Sequence, residues 1–338
     1  MSRILVTGAN GFIGSAVCPA LAAAGHTVRA AVRRRANGRQ GKSADDGTRG
    51  EPGIELCEIG DIGPDTDWMP ALEDVEIVIH LAGRAHLPTA TAHEIEAGVR
   101  VNVAGTGRLA RQAASRGVRR LVFVSSIKVH GDRSAESPFT EESPVRPDDP
   151  YGRSKWQAEK TLRQVEEDSG MAVVILRLPL VYGPGVKANF LRLLRWAESG
   201  VPLPLGSIRN RRSMIGLGNL VDFIRLCVKE SSAAGETFLA ADGVDLSTPE
   251  LIRRIAGYFH RPARLVPVPP RMLVAGARLL GKSEIAQRLC GSLTVDIGKA
   301  RRHLGWQPPV SIDEGLEQTV EWYIKAGHSR RRTFRPGG

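Results

Sequence analysis

Tyr151 and Lys155 lie four residues apart in the stretch 149-DPYGRSKWQAEK-160. On a helix, residues at i and i+4 share a face, with Cβ atoms roughly 5–6 Å apart. An ammonium that close favours the charged form of a phenol, so the pair could work as an acid–base device. The same spacing also fits the first turn of a capped surface helix, and the pair alone does not separate the two readings. A second stretch with chemical content is 7-TGANGFIG-14, where Gly8, Gly11 and Gly14 recur at every third position around Asn10, Phe12 and Ile13. It follows a strand-like run and opens a helix-like one. There Gly8 allows a tight turn, Gly11 lets backbone approach a pyrophosphate at the positive helix end, and Gly14 lets helix and strand pack closely. Three glycines alone are a weak signal, but between a strand and a helix they become a strong one.

The elements that must position these residues are legible in the apolar pattern. RILVTG, TVRAAVR, IELCEI, EIVIHLAG, RRLVFVSS and AVVILRLP read as strands. Between them FIGSAVCPALAAAG, VRVNVAGTGRLARQAASRG and SKWQAEKTLRQVEEDSG read as helical. Strand–helix alternation predicts a parallel sheet with helices on both faces, and nearly continuous apolar strands suit a sheet buried on both sides. The segment 34–53 is glycine-rich and charged, and reads as a mobile surface loop. After Pro184 the texture changes to turn residues and basic residues. FLAADG reads as one more strand, and LSTPELIRRIAGYF as a helix capped at Ser247 or Thr248 with Pro249 at its first position. RMLVAGARLLGKSEIAQRL is amphipathic, a pattern that serves a core, a partner or a membrane.

Composition sets bounds. The 338 residues suffice for a main domain and a smaller one. The N-terminus lacks the pattern of a secretory leader, and no apolar run reaches the ~18 residues of a membrane span. Cys18, Cys57, Cys227 and Cys290 are widely spaced, without metal-ligand spacing, and fit a reduced cytoplasmic compartment. A formal net charge of +11 attracts anions. Arg33, Arg34, Arg35 and Arg39 cluster early, Arg209, Arg211 and Arg212 later, and SRRRTFR closes the chain as a solvated tail. No aromatic residues interleave the first two clusters, so no nucleic-acid partner is expected.

TGANGFIG, GDI at 60–62, HLAG at 80–83, NVAGT at 102–106, SSIKVHG at 125–131 and YGRSK at 151–155 follow one another as in the extended short-chain dehydrogenase/reductases. More narrowly, the chain resembles the NAD-dependent nucleotide-sugar epimerase/dehydratase family, UDP-glucose 4-epimerase-like, over nearly its whole length. The closing RRHLGWQPPVSIDEGLEQTVEWY is also similar. The resemblance implies an α/β protein: a doubly wound Rossmann sheet over 1–183 with a returning strand near 236–242. A smaller C-terminal α/β substrate domain would occupy 184–235 and 243–328, with 329–338 a flexible basic tail. It implies a cytoplasmic enzyme, NAD or NADP as cofactor, a UDP-sugar as partner and a homodimer, with no metal.

Residue by residue, the resemblance makes Ser126, Tyr151 and Lys155 a catalytic triad. Tyr151 would exchange the proton of a sugar hydroxyl, and Lys155, with the positive nicotinamide, would bring the phenol nearer to working pH. Ser126 would hold the sugar oxygen. Asp61 and Ile62 would hold the adenine, Leu81, Ala82 and Gly83 would line the cofactor, and Asn102 would support the active-site backbone or a water. Asn189 and Arg212 would meet the substrate diphosphate.

Departures from the family pattern narrow the reading. His130 stands where the family has tyrosine, and is assigned no role. The family's late phosphate-binding arginine has only Arg271 as a poor substitute. The second strand ends in Arg33 rather than in the acid usual for NAD, which tilts the cofactor toward NADP. The overall resemblance makes a UDP-sugar 4-epimerase the expected activity, while Arg33 and the substrate-domain departures favour the alternative, an NADPH-dependent UDP-4-keto-6-deoxy-sugar 4-reductase of surface-polysaccharide synthesis. Ile127 and Lys128 after Ser126 leave no acid pair for dehydration. A dinucleotide sensor or RNA-binding scaffold is the non-enzyme alternative.

Overall fold

The computed structural model describes residues 1–33, 52–84, 91–279, 281 and 289–328. The mobile loop expected over 34–53 lies outside them except for its last two residues, and so does the tail 329–338. Seven strands form one parallel sheet: β1 (Arg3–Thr7), β2 (Thr27–Arg33), β3 (Ile54–Ile59), β4 (Ile77–His80), β5 (Arg120–Ser126), β6 (Ala172–Leu178) and β9 (Thr237–Leu239). Their order is β3-β2-β1-β4-β5-β6-β9. It reverses direction between β1 and β4, and open α/β sheets bind ligands at the carboxyl ends of strands beside such a reversal. The six strands expected in the first half all form, and FLAADG supplies β9, in parallel with β6.

The central strands are apolar on both faces because helices cover both. On one face α1 (Gly14–Ala23) and α6 (Leu217–Lys229) set Val17, Cys18, Leu21, Leu220 and Phe223 against the sheet. On the other, α3 (Thr106–Ser115) and α4 (Pro150–Ser169) contribute Leu109, Ala110, Ala158 and Leu162. Arg120, at the start of β5, sends its buried guanidinium to the carbonyls of Cys227 (2.7 Å), Val228 (3.0 Å) and Glu230 (2.8 Å) at the end of α6. A cation there meets the negative end of the helix. The helical stretch expected over 99–117 forms, but not as one uniform α-helix. α2 (Ala92–Val99) continues without a break through a wider π-helical stretch over Arg100–Gly105 into α3. Gly105 in that stretch rests against Ile62, where a Cβ would come within 2.6 Å of the Ile62 side chain.

A third core lies beyond β6. It joins α5 (Ala188–Ser199), α7 (Thr248–Tyr258) and the helix Ile312–Lys325 through Phe190, Leu194, Ile255, Leu316 and Tyr323. Two short parallel strands, β7 (Leu180–Tyr182) and β8 (Met214–Gly216), link it to the sheet. β8 and α5 fall where the apolar pattern predicted neither. Tyr182 donates to Asp242 at 2.8 Å, and Asp242 also accepts from Asn219 (2.7 Å) and the Gly216 amide (2.9 Å). Helix α8 (Pro270–Leu279) realises the first half of the amphipathic stretch.

Candidate active site

The loop between β1 and α1 turns tightly because Gly8 adopts φ +70° and lies against β4's extension. A Cβ there would stand 2.9 Å from the Ala82 amide nitrogen. At Gly14 a Cβ would stand 2.2 Å from the Gly8 carbonyl oxygen, so this position admits no side chain. The Gly11 amide donates to that same carbonyl at 2.9 Å. No side chain caps α1 and no acid sits in its first turn, which leaves its positive end for an anionic ligand. Asn10 is exposed, Ile13 packs on the sheet, and Phe12 packs instead into the third core, 3.5 Å from where a Gly185 Cβ would be.

Beneath this loop runs a buried chain that the motif reading passed over. His80, at the end of β4, contacts Thr7 Oγ1 through Nδ1 (2.6 Å) and Thr106 Oγ1 through Nε2 (2.9 Å). The Ala82 amide donates to Thr7 Oγ1 at 3.3 Å. Burial, helped by the charge of Lys155, pulls the His80 pKa down to about 3, so the ring is neutral, with one nitrogen donating and the other accepting. It thereby ties β1, β4 and α3 together under the phosphate side of the site.

Ser126 ends β5, and its Oγ accepts from the Lys128 amide at 3.3 Å. Tyr151 and Lys155 occupy the first two turns of α4. Asp149 caps that helix by accepting from the Gly152 amide at 2.7 Å, and Pro150 occupies its first turn. Two contacts hold this end of α4 against the chain just past Ser126. Asp149 pairs with Lys128 Nζ, and a Cβ on Gly152 would come within 2.5 Å of the Lys128 carbonyl oxygen. Lys155 is buried, donates to the Val124 carbonyl at 2.9 Å and lies 4.4 Å over the Phe123 ring. Burial pulls its pKa down to about 8, opposed by Glu159. Tyr151 moves the other way: burial first and Asp149 second push it up to about 12. The Lys155 ammonium meanwhile donates to the Val124 carbonyl.

Next to Ser126, Tyr151 and Lys155 in the chain's fold lies a buried ion pair. Arg177 grips Glu159 through Nε (3.2 Å to each oxygen) and Nη2 (2.7 Å). Glu159 also accepts from Ser125, the residue before Ser126. Arg177 Nη1 stands 2.9 Å from His130 Nε2. Burial, then the Arg177 charge, draws the His130 pKa to about 4. Sequence signals existed for these residues: Glu159 is one turn on from Lys155, and Arg177 is a charge inside the apolar strand AVVILRL.

The remaining predicted positions divide. Asn102 is buried and holds the main chain of Arg84 from both sides, accepting from its amide at 2.7 Å and donating to its carbonyl at 3.0 Å. It also donates to Ser154 at 3.0 Å. A Cβ on Gly83 would lie 3.3 Å from Lys155 Nζ and 3.4 Å from Asn102 Oδ1, so this backbone passes close over both. Leu81 packs on the core beside it. At the far end, Arg33 pairs with Asp61 at 3.5 Å, both largely exposed, and Ile62 is partly buried. Asn189 is exposed at the start of α5, next to Ala188 with φ +53°. Arg212 directs Nη1 to the Gly291 carbonyl at 3.2 Å, so its guanidinium is partly engaged with main chain. Among the described residues no cluster of three His, Cys, Asp or Glu could hold a metal. The tight glycine turn at an uncapped helix end, the close backbone at Gly83 and the buried Lys155 fit an extended dinucleotide along the sheet edge.

Residues 4–241 match the family model described as the NAD dependent epimerase/dehydratase family. The chain is 41% identical to a Vibrio cholerae protein named UDP-glucose 4-epimerase, across 96% of each chain. It is 31% identical to a UDP-glucose 4-epimerase of Mycolicibacterium smegmatis, across 95% of this chain and 98% of that one. Among solved structures, UDP-glucuronic acid 4-epimerase from Bacillus cereus in complex with NAD shares the fold. It has a TM-score of 0.77 at 22% identity, over 96% of this chain and 99% of that one.

Proposed function

The chain belongs to the NAD-dependent epimerase/dehydratase family, and from that membership we propose that it inverts C4 of a UDP-sugar. The observation that carries the reading is the likeness to the Vibrio cholerae protein along almost the full length of both chains. The geometry around Gly152 and Lys128 supports it. The glycine loop around Gly8, Gly11 and Gly14 would hold NAD, which when bound takes the hydride from C4, leaving a 4-keto carbon, and gives it back to the opposite face. Tyr151 takes the C4 hydroxyl proton and later gives it back, and Ser126 holds the same oxygen by a hydrogen bond. Lys155 steadies the phenolate with its charge and orients the ribose. A phenol held near 12 by the protein needs that added positive charge to work at neutral pH. The segments 184–235 and 243–328 then hold the UDP, with Asn189 and Arg212 toward its diphosphate, in a cytoplasmic homodimer.

Arg33 favours a second reading. An arginine at the end of β2 suits the 2′-phosphate of NADP, and with it an NADPH-dependent reduction of a 4-keto-6-deoxy UDP-sugar. Incubation with UDP-glucose, and separately with UDP-N-acetylglucosamine, followed by chromatography of the nucleotide sugars, tests the first reading. A C4 epimer formed without added cofactor, and not by Tyr151→Phe, is the expected result. Inertness toward both sugars, with NADPH consumed on a 4-keto sugar, would replace epimerisation with the reductase.

A further inference from the structure

A small fourth core lies within the segments proposed to hold the UDP and contains neither Asn189 nor Arg212. Leu205, Ile208 and Ile252 are buried in it, and Leu193 of α5, Leu203, Leu265 and Leu273 of α8 pack against them. Main-chain pairing fixes this layer. The Leu203 amide donates to the Arg264 carbonyl, and the Val266 amide to the Leu203 carbonyl, each at 2.8 Å. The same segments expose large apolar side chains. Met272 is 65% exposed, Val201 58%, Leu279 90% and Val266 45%. Trp196, three residues past Leu193 and so on the same side of α5, is exposed too. No residue of α8 is fully buried. Grouped exposure of this kind marks an interaction surface.

The charge around these residues is one-sided. Arg261, Arg264, Arg271 and Arg278 are all exposed, and residues 260–281 contain no Asp or Glu. On α5 the exposed Arg192 adds to the same sign. We propose that this face docks on an anionic lipid bilayer. Met272, Leu279, Val201 and Val266 enter the boundary between headgroups and acyl chains, while the arginines meet the negative headgroups. Charge decides against a second copy as the occupant, because face-to-face pairing would set arginine against arginine with no acid in 260–281 to answer it. The docking is peripheral: among the described residues no helix is long and apolar enough to cross a membrane.

The test is co-sedimentation of the full-length protein with vesicles of phosphatidylcholine alone and of phosphatidylcholine with phosphatidylglycerol. Binding to the anionic vesicles only, weakening as salt rises, is expected. Each basic residue at such a surface contributes about fivefold, so Arg264→Glu/Arg278→Glu should weaken partition roughly 25-fold or more. Met272→Ser/Leu279→Ser should weaken it about tenfold. Arg225→Glu/Lys229→Glu on α6 makes the same change in net charge away from this face, and should change binding far less. Circular dichroism melts check that each variant is folded. Three results would overturn the proposal: no binding to anionic vesicles, equal loss from the α6 control, or indifference to the Met272/Leu279 change. So would a lipid-free dimer that the Met272/Leu279 variant dissociates, since that would assign the face to a second copy.

Discussion

Tyr151, proposed here to exchange the sugar proton, shows how little a side chain's chemistry owes to its own helix. Its spacing from Lys155 is visible in the sequence, but its environment is not, and burial with Asp149 moves its pKa up to about 12. Tyr151→Phe should cut kcat about 10²–10⁴-fold while dinucleotide binding, followed by fluorescence titration, stays close to wild type. His80 and His130 are the other residues whose setting decides their state. In the unfolded chain each takes up a proton near 6.5, whereas folded His80 resists until about 3 and His130 until about 4. Between those values the unfolded state binds more protons, so falling pH destabilises the fold. Each histidine should withdraw about 2 kcal/mol by pH 5. Thermal melts from pH 7 to pH 5 should fall accordingly, with a shallower slope for His80→Gln. Neither histidine could be weighed from sequence, since a lone histidine in HLAG or KVHG carries no sign of what surrounds it.

At the scale of elements, the register of α4 against the end of β5 is the arrangement on which the site depends. Gly152 sits where a methyl group would collide with the Lys128 carbonyl. Gly152→Ala should push the first turn of α4 away from Ser126 and lower kcat about 10²-fold, since displacements near 1 Å have that effect. Its stability cost, read from urea unfolding, should be about 1–3 kcal/mol. The ion pair between α4 and β6 behaves differently. Glu159→Ala leaves the Arg177 charge buried and should cost about 3–5 kcal/mol, much of it recovered in Glu159→Leu/Arg177→Met. The strands and α4 were legible because their apolar periods and their punctuation at Pro150 and Gly170 are local signals. The π-helical stretch at Arg100–Gly105, β7 with β8, and the partners of Arg177 were not. They depend on contacts between segments tens of residues apart, as between Gly105 and Ile62 or Arg212 and Gly291. The proposed triad could be read only as motifs in order. How α4 is clipped to Lys128 needed three dimensions.

For the molecule as a whole, the exposed Arg33–Asp61 pair is where we propose that cofactor choice is made. A ligand at about 100 times its Kd raises stability by about 2.7 kcal/mol, so paired thermal shifts with NADH and NADPH rank the two directly. If Arg33 serves a 2′-phosphate, Arg33→Ala should abolish the NADPH shift and leave that of NADH intact. The order of the sheet has a consequence of another kind, for the chain as it is made. β6 gains its outer neighbour only when β9 arrives, after β7, α5, β8 and α6 have been laid down. At about 5–20 residues per second, a ribosome leaves the outer edge of β6 open for several seconds. During that interval the nascent chain presents an unpaired strand, and a stop codon anywhere between the two would leave it so for good.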